Sequence, residues 1–162
     1  MSGLARTLGT RRRKLITRRD LFVALIAAAA TLGVVTARTQ KTVMRSALFD
    51  WNAVAAQQTE FGARRQFFKS RTATTDELSL HATTVNPGAA SHAPHRHAHE
   101  ELFIVKEGTV EALVNGEWRK VGPGSAVFCA SNELHGIRNA GTTPATYHVI
   151  NWHSPGATKA EP

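Results

Sequence analysis

Several features that would assign this chain to a common class of protein are scarce or missing. It has one cysteine, Cys129, in 162 residues, which excludes a disulfide within the chain and any site built on several thiolates. The uncharged stretch 21–37 is Ala-rich and shorter than the roughly 20 strongly apolar residues of a membrane-spanning helix. Helical periodicity of useful length is absent as well, so the apolar residues do not favour a helical fold.

Acidic residues are also few, but the imbalance of charge is local. The formal charge of +8 comes from 20 basic and 12 acidic residues. Residues 1–37 hold seven of the basic residues and one of the acidic ones, so residues 38–162 hold 13 basic against 11 acidic. A domain that binds nucleic acid carries its positive charge on its folded surface. The nearly balanced remainder therefore argues against a nucleic-acid partner.

The basic N-terminus has the layout of an export signal. The pair Arg18-Arg19 precedes the uncharged stretch, and Val35-Thr36-Ala37 offers the uncrowded side chains that a signal peptidase needs. Residues 17–23 resemble the twin-arginine motif, which implies export of an already folded protein. We expect a twin-arginine signal peptide over 1–37 and a periplasmic or other extracytoplasmic location. The alternative is that this segment stays uncleaved and anchors the protein in the membrane. The protein would then contact the membrane only through this segment.

The rest of the chain divides by composition into three parts. Residues 38–76 are mixed and are predicted to form an N-terminal arm, with one helical turn at 54–58 and aromatics that pack on the domain or on a partner chain. Residues 77–153 are rich in short β-prone runs, and 154–162 form a polar tail. A hairpin turn is predicted at Asn115-Gly116. The even spacing of these runs predicts an all-β sandwich or small barrel. The expected strands are 78–85, 102–105, 109–114, 118–121, 126–129, 136–138 and 146–152.

Four of the eight histidines fall between positions 92 and 99. Side chains two residues apart share one face of a strand, so His95, His97 and Glu101 can point together into the domain. His99 has the same parity, but a bend between His97 and Glu101 would turn its side chain away. Imidazole and carboxylate groups on one inner face predict a divalent-metal site. The alternative is a solvated His-rich loop that picks up metal adventitiously.

Two motifs resemble those of the cupin superfamily. Gly88, His95-Arg96-His97, Glu101 and Gly108 follow the first cupin motif, with one extra residue between Gly88 and His95. Gly124, His135 and Asn139 follow the second motif, in which Ala130 and Asn132 replace the usual Pro and Gly. The resemblance covers about half of the chain, and the two motifs stand in the right order.

The cupin resemblance implies a small jelly-roll β-barrel with one divalent metal ion inside it. By position, its ligands would be His95, His97, Glu101 and His135. Iron or manganese is favoured, and zinc, nickel, copper or cobalt is possible. A cation in a closed barrel also removes the cost of burying these polar groups.

We expect an exported metal-binding protein that acts as an enzyme on a small organic molecule. Among the reaction classes, an oxygenase of the iron or manganese type is favoured. The alternatives are a metal-assisted isomerase or decarboxylase, and a non-catalytic cupin of the cell envelope that binds a small ligand or metal. His148, on the last predicted strand, is a weak candidate for a catalytic acid or base; a half-buried sheet histidine is the other interpretation. We expect a homodimer, because one small barrel would not cover all the aromatics of 38–75.

Overall fold

The structure, a computed structural model, describes residues 42–155. This range contains nine strands and no helix, and therefore no helix that could span a membrane. The predicted signal segment and residues 156–162 of the predicted tail lie outside the described residues. The strands are β1 (Gln57–Thr59), β2 (Gly62–Ser70), β3 (Glu77–Val85), β4 (Glu100–Glu107), β5 (Val110–Val114), β6 (Glu117–Val121), β7 (Ala126–Cys129), β8 (Gly136–Asn139) and β9 (Ala145–His153).

The strands form two antiparallel sheets. One has six strands in the order β1-β2-β3-β9-β4-β7, and the other has three in the order β6-β5-β8. The last strand, β9, lies between β3 and β4; it pairs with β3 along its whole length and with β4 over residues 146–152. The inner faces of the two sheets enclose one core, which is the arrangement of a small jelly-roll barrel. The all-β jelly-roll class predicted from the sequence is therefore confirmed.

Period-two alternation decides which side chains enter this core. Along β4, Glu101, Phe103 and Val105 are buried, whereas Leu102 and Ile104 are half-buried on the outer face. The same alternation on the other strands completes the apolar cluster. Its members are Val85, Phe103, Val105, Val110, Ala112, Val127, Cys129, Ile137, Ala145, Tyr147 and Val149.

The predicted hairpin turn is present between β5 and β6. Asn115 and Gly116 have φ of 53° and 80°, and together they form the two-residue loop. Positive φ at both positions defines a type I′ turn, whose twist matches that of the flanking strands. The turn residues thus fix the register in which Val114 pairs with Glu117.

The region before residue 77 differs from its prediction. The helical turn expected at 54–58 is wrong: residues 57–59 form β1, and β2 follows as a nine-residue strand that pairs with β3. Upstream of β1, Phe49 lies 5.1 Å from Phe68, and Trp51 lies 5.9 Å from Phe67, measured between ring centroids. These upstream aromatics therefore pack on the outer face of the six-stranded sheet.

Candidate metal centre

Three histidines and one glutamate come together at one end of the barrel. His95 and His97 lie in the segment before β4, Glu101 is the second residue of β4, and His135 directly precedes β8. Because β4 and β8 belong to different sheets, these residues meet only when the barrel closes. Glu101 and His135 are buried, while His95 and His97 are half-buried.

The backbone holds the two segments in place. His95 N–H donates to the His135 carbonyl at 3.0 Å, and His135 N–H donates to the His95 carbonyl at 3.1 Å. This isolated antiparallel bridge joins the segment before β4 to the segment before β8. The two side chains are therefore positioned by main-chain hydrogen bonds and not by their own contacts alone.

The side-chain donor atoms converge on one small volume. One ring nitrogen from each of His95, His97 and His135 lies within 4.8 Å of the other two. The Nε2 atoms of His97 and His135 are 3.1 Å apart. The Oε2 atom of Glu101 is 3.7 Å from Nε2 of His97 and 3.4 Å from Nε2 of His135.

The tautomers of two of these histidines follow from their other hydrogen bonds. Nδ1 of His97 lies 2.8 Å from the His99 carbonyl, and Nδ1 of His135 lies 2.8 Å from the Glu133 carbonyl. A carbonyl only accepts, so both Nδ1 atoms carry the proton and both neutral rings present an Nε2 lone pair to the cluster.

Two lone pairs that face each other at 3.1 Å need a proton or a cation between them. Metal–imidazole bonds of about 2.1 Å place adjacent nitrogen ligands roughly 3 to 3.5 Å apart. The observed separation of the two Nε2 atoms suits that spacing. The buried Nδ1 atom of His95 also has no hydrogen-bond partner among the described residues. The donor set therefore fits one divalent ion, with the three histidines and Glu101 as its ligands.

Burial and hydrogen bonds tune the charges of the same groups. Burial alone would raise the pKa of Glu101, but its contacts with His135 and the Asn151 amide, and the nearby His97, hold that pKa below its usual value. Burial opposes charge on His135, yet its contacts with Glu101 and the Glu133 carbonyl raise its pKa. Burial, followed by the neighbouring histidines, lowers the pKa of His95. The carboxylate is thus kept ionised, as a metal ligand must be.

A cavity of about 300 Å³ opens beside the cluster. Its walls come mostly from the inner faces of β2, β3, β4 and β9, which the alternation of each strand directs into the barrel. Asn151 supports the cluster from this wall, where its Nδ2 donates to Oε1 of Glu101 at 3.3 Å. The lining residues are Phe61, Arg64, His81, Thr83, Ser91, His92, His95, His97, His99, Glu101, Phe103, Tyr147, Val149 and Asn151.

Two further histidines lie outside the ligand group. His148 lies on the outer face of the six-stranded sheet, 5.9 Å from the ring of Trp51 and 6.1 Å from that of Phe67. The structure therefore does not bring the weak catalytic candidate to the cavity. The ring of His99 stacks on that of His97 with centroids 3.7 Å apart, and its carbonyl accepts the His97 Nδ1 proton. His99 thus supports a ligand and stands outside the group of three.

Sequence reasoning missed several residues of the cavity. Arg64 lies on β2, in the stretch interpreted as an arm, so no parity could be assigned to it. The sequence does not predict which face His81 occupies or that Tyr147 reaches a cavity. All three line the cavity; Tyr147 is buried, His81 is half-buried and Arg64 is exposed. For His81 and Tyr147, their shared parity with buried Val85 and Val149 was the available signal.

Comparisons with known proteins agree with this geometry. The family described as Cupin domain (Cupin_2) matches residues 81–151, and no curated protein sequence matches the chain. A cupin domain of an XRE family transcriptional regulator from Enterobacter cloacae is 30% identical, covering 48% of this chain and 82% of that one, with a TM-score of 0.43. The polyketide cyclase RemF from Streptomyces resistomycificus is 21% identical over 74% and 87% of the two chains, with a TM-score of 0.55. A predicted oxalate decarboxylase from Thermotoga maritima is 15% identical over 66% and 99%, with a TM-score of 0.54.

Proposed function

Because this chain carries a cupin domain over residues 81–151, we propose that it is a mononuclear metal-binding cupin that acts as an enzyme on a small organic molecule. The observation that carries the proposal is the convergence of three imidazole nitrogens within 4.8 Å of one another, with the buried Glu101 carboxylate 3.4 Å from one of them. Three neutral imidazoles and one carboxylate would leave a divalent ion with a net charge of about +1.

The bound ion would supply Lewis-acid polarisation of a ligand oxygen, or a redox centre where the metal is iron or manganese. The chain's own residues do the rest. The carbonyls of His99 and Glu133 hold two ligand rings in the binding tautomer, and Asn151 fixes the Glu101 carboxylate. Phe103 and Val149 provide the apolar wall that limits the access of water.

The neutral polar groups of the cavity would orient the bound molecule. Tyr147 is 1% exposed, and its hydroxyl lies 3.3 Å from Oγ of Ser91. Burial raises the pKa of Tyr147 to about 12, so its hydroxyl keeps its proton and remains a hydrogen-bond donor at neutral pH.

An oxygenase of the iron or manganese type is the first reaction class that we propose. An ion held by three histidines and one carboxylate would keep one or two positions open, at which a substrate and dioxygen would bind. A metal-assisted isomerase, cyclase or decarboxylase is the second candidate. It is favoured by structural relatives named as a polyketide cyclase and a predicted oxalate decarboxylase, although these relatives are similar to this chain in fold alone.

Metal analysis followed by oxygen-uptake measurements tests both levels of the proposal. Protein made in its native host is expected to hold about one divalent ion per chain, and the His97→Ala variant to hold little. Oxygen consumption with a panel of small acids, alcohols and phenols is expected from the iron- or manganese-loaded protein. Product formed without oxygen uptake would transfer the assignment to the second class. Stoichiometric metal without turnover of any compound would leave a binding protein.

We also propose the location and the assembly expected from the sequence. The twin-arginine-like segment supports export to the periplasm. The double variant Arg18→Lys with Arg19→Lys is expected to block export, and unchanged export would contradict this route.

Exposed apolar side chains, among them Leu48 at 88% and Phe128 at 51% exposure, support a homodimer. Light scattering that shows a monomer at micromolar concentration would refute the dimer.

A further inference from the structure

The cavity beside the cluster has a charged residue that the metal site does not use. Arg64 on β2 lines the same cavity as His95, His97 and Glu101. Glu101 is the one carboxylate in that lining and is already committed to the cluster. With a divalent ion and neutral histidines, the charged groups of the cavity would sum to about +2. An anionic ligand would compensate that charge directly, whereas a neutral ligand would leave it to solvent, to which Arg64 is exposed.

Arg64 has no acidic partner within residues 42–155. Lys69, Arg71, Lys106, Arg119 and Arg138 each pair with an Asp or Glu at 3.5 Å or less. The Arg64 guanidinium donates from Nη2 to Oε1 of the neutral Gln66 side chain at 2.8 Å. A guanidinium has five donors in a fixed fork and binds carboxylates through two of them. Most of that capacity therefore remains available to a ligand.

The strand register places Arg64 in a row with the other ligand-orienting groups. Arg64 pairs with Thr83, and Thr83 pairs with Tyr147. All three line the cavity; Thr83 and Tyr147 are buried, and Arg64 is exposed to solvent. The metal-binding cluster lies further along β4 and β9, where Glu101 pairs with Asn151. The cavity thus has a cation-binding end and a guanidinium, with neutral hydrogen-bonding groups between them.

His81 shows that these two charged regions share one electrostatic environment. Burial and then the positive charge of Arg64 lower the pKa of His81, the negative charge of Glu101 opposes them, and the pKa settles at about 4. His81 therefore lies within electrostatic reach of both groups and stays neutral. A volume of about 300 Å³ equals that of about ten water molecules, which is room for one small organic molecule in a cavity lined by both Arg64 and the cluster.

We propose that the ligand of this cavity is a small organic acid whose carboxylate is bound by Arg64 while its other end lies at the metal cluster. This inference rests on the proposed metal site and adds the substrate class. At the Arg64 end a carboxylate is favoured over a phosphate, because this one guanidinium matches a single negative charge and the rest of the positive charge would lie at the metal cluster.

Calorimetric titration of the zinc-loaded full chain with malonate, succinate and glutarate tests this assignment. At least one of these acids is expected to bind ten times more tightly than the uncharged diamide of succinate. Arg64→Gln is expected to weaken that binding by about 10- to 100-fold, the usual effect of losing a charge-assisted hydrogen bond. Arg64→Lys should lose less, because it keeps the charge without the fork. Arg119→Gln, on exposed β6, is the matched control and should bind as the wild type does.

Zinc content, measured separately for each variant, distinguishes the two levels of failure. Wild-type protein without zinc would contradict the proposed metal site, and the same titrations on metal-free protein would still test Arg64 because the guanidinium remains. The substrate class is overturned if Arg64→Gln binds the acids as the wild type does at equal zinc content. It is also overturned if the diamide binds equally well, if inorganic phosphate binds more tightly than every acid, or if no acid binds at millimolar concentration.

Discussion

Replacing His97 with alanine separates the contribution of metal to stability from that of side-chain packing. Binding to the folded state alone stabilises a protein by about 2.7 kcal/mol when the free ligand is at 100 times its dissociation constant. For a domain of this size, each kcal/mol shifts the melting temperature by roughly 3 to 6 °C. We therefore expect zinc to raise the melting temperature of the wild type by roughly 10 °C at that concentration.

The variant should lose nearly all of this shift. Loss of one imidazole ligand that weakens zinc binding by about 100-fold leaves the ion at its new dissociation constant, where the stabilisation is only about 0.4 kcal/mol. In chelator, by contrast, His97→Ala and wild type should differ by about 1 kcal/mol or less. The variant loses the hydrogen bond to the His99 carbonyl, but it also removes one of the two lone pairs that face each other at 3.1 Å.

Differential scanning calorimetry of both proteins, with buffered free zinc and with chelator, measures the four values that this comparison needs. His99→Ala is the matched control, because it removes a stacked ring but keeps the backbone carbonyl that accepts the His97 proton. It should keep the full zinc-dependent shift. The assignment of ligands fails if His97→Ala retains the shift, or if His99→Ala loses it while His97→Ala does not.

Three further predictions concern protons and buried polar groups. The raised pKa of His135 means that its protonated form stabilises the metal-free fold below about pH 6.5 and that this contribution is lost as pH rises through that pKa. Zinc affinity should increase over the same window. Zinc binding that does not change between pH 5 and 8, measured by competition with a weak chelator, would refute this. The pKa of His81 is lowered to about 4, so the free energy of unfolding should fall as pH drops from 6.5 to 4. In urea unfolding of metal-free protein, His81→Gln should make this pH dependence weaker. An equal pH dependence in the two proteins would contradict the burial argument. Asn139 donates to the carbonyls of Val85 and Thr143, both at 2.8 Å, so Asn139→Ala should lower the free energy of unfolding by about 2 to 4 kcal/mol, and a loss below 1 kcal/mol would show that water replaces the side chain.

The strands after residue 77 could be predicted because their signals are local. A few consecutive residues are enough to show the alternation that starts at Glu101. The same holds for the turn predicted at Asn115-Gly116. β2 could not be recognised in the same way. Its side chains are covered on both faces, with Phe67 under Trp51 on the outside and Gln66 bonded to Ser79 on the inside. Its polar and apolar residues therefore do not alternate as those of a half-buried strand do.

The same distinction applies to the site. The order and spacing of His95, His97, Glu101 and His135 predicted which residues should meet, and the structure brings the three imidazoles together with the carboxylate beside them. The main-chain bridge between His95 and His135, and the carbonyls that set the tautomers, depend on how two segments 40 positions apart fold back. Arg64 reaches the cavity through the pairing of β2 with β3, and no short sequence motif encodes that register.

The position of β9 affects how the chain must fold. As the last strand, it fills the gap between β3 and β4, so the six-stranded sheet cannot be completed until nearly the whole chain is available. Such non-local pairing is slow, because the loop entropy is lost before the contacts form. None of the four proposed ligands lies on β9, yet a chain that ends before residue 145 would leave β3 and β4 without their shared neighbour and Glu101 without Asn151. Metal would then bind only after the barrel has closed. A nascent chain that is still being synthesised would not yet have a complete metal site.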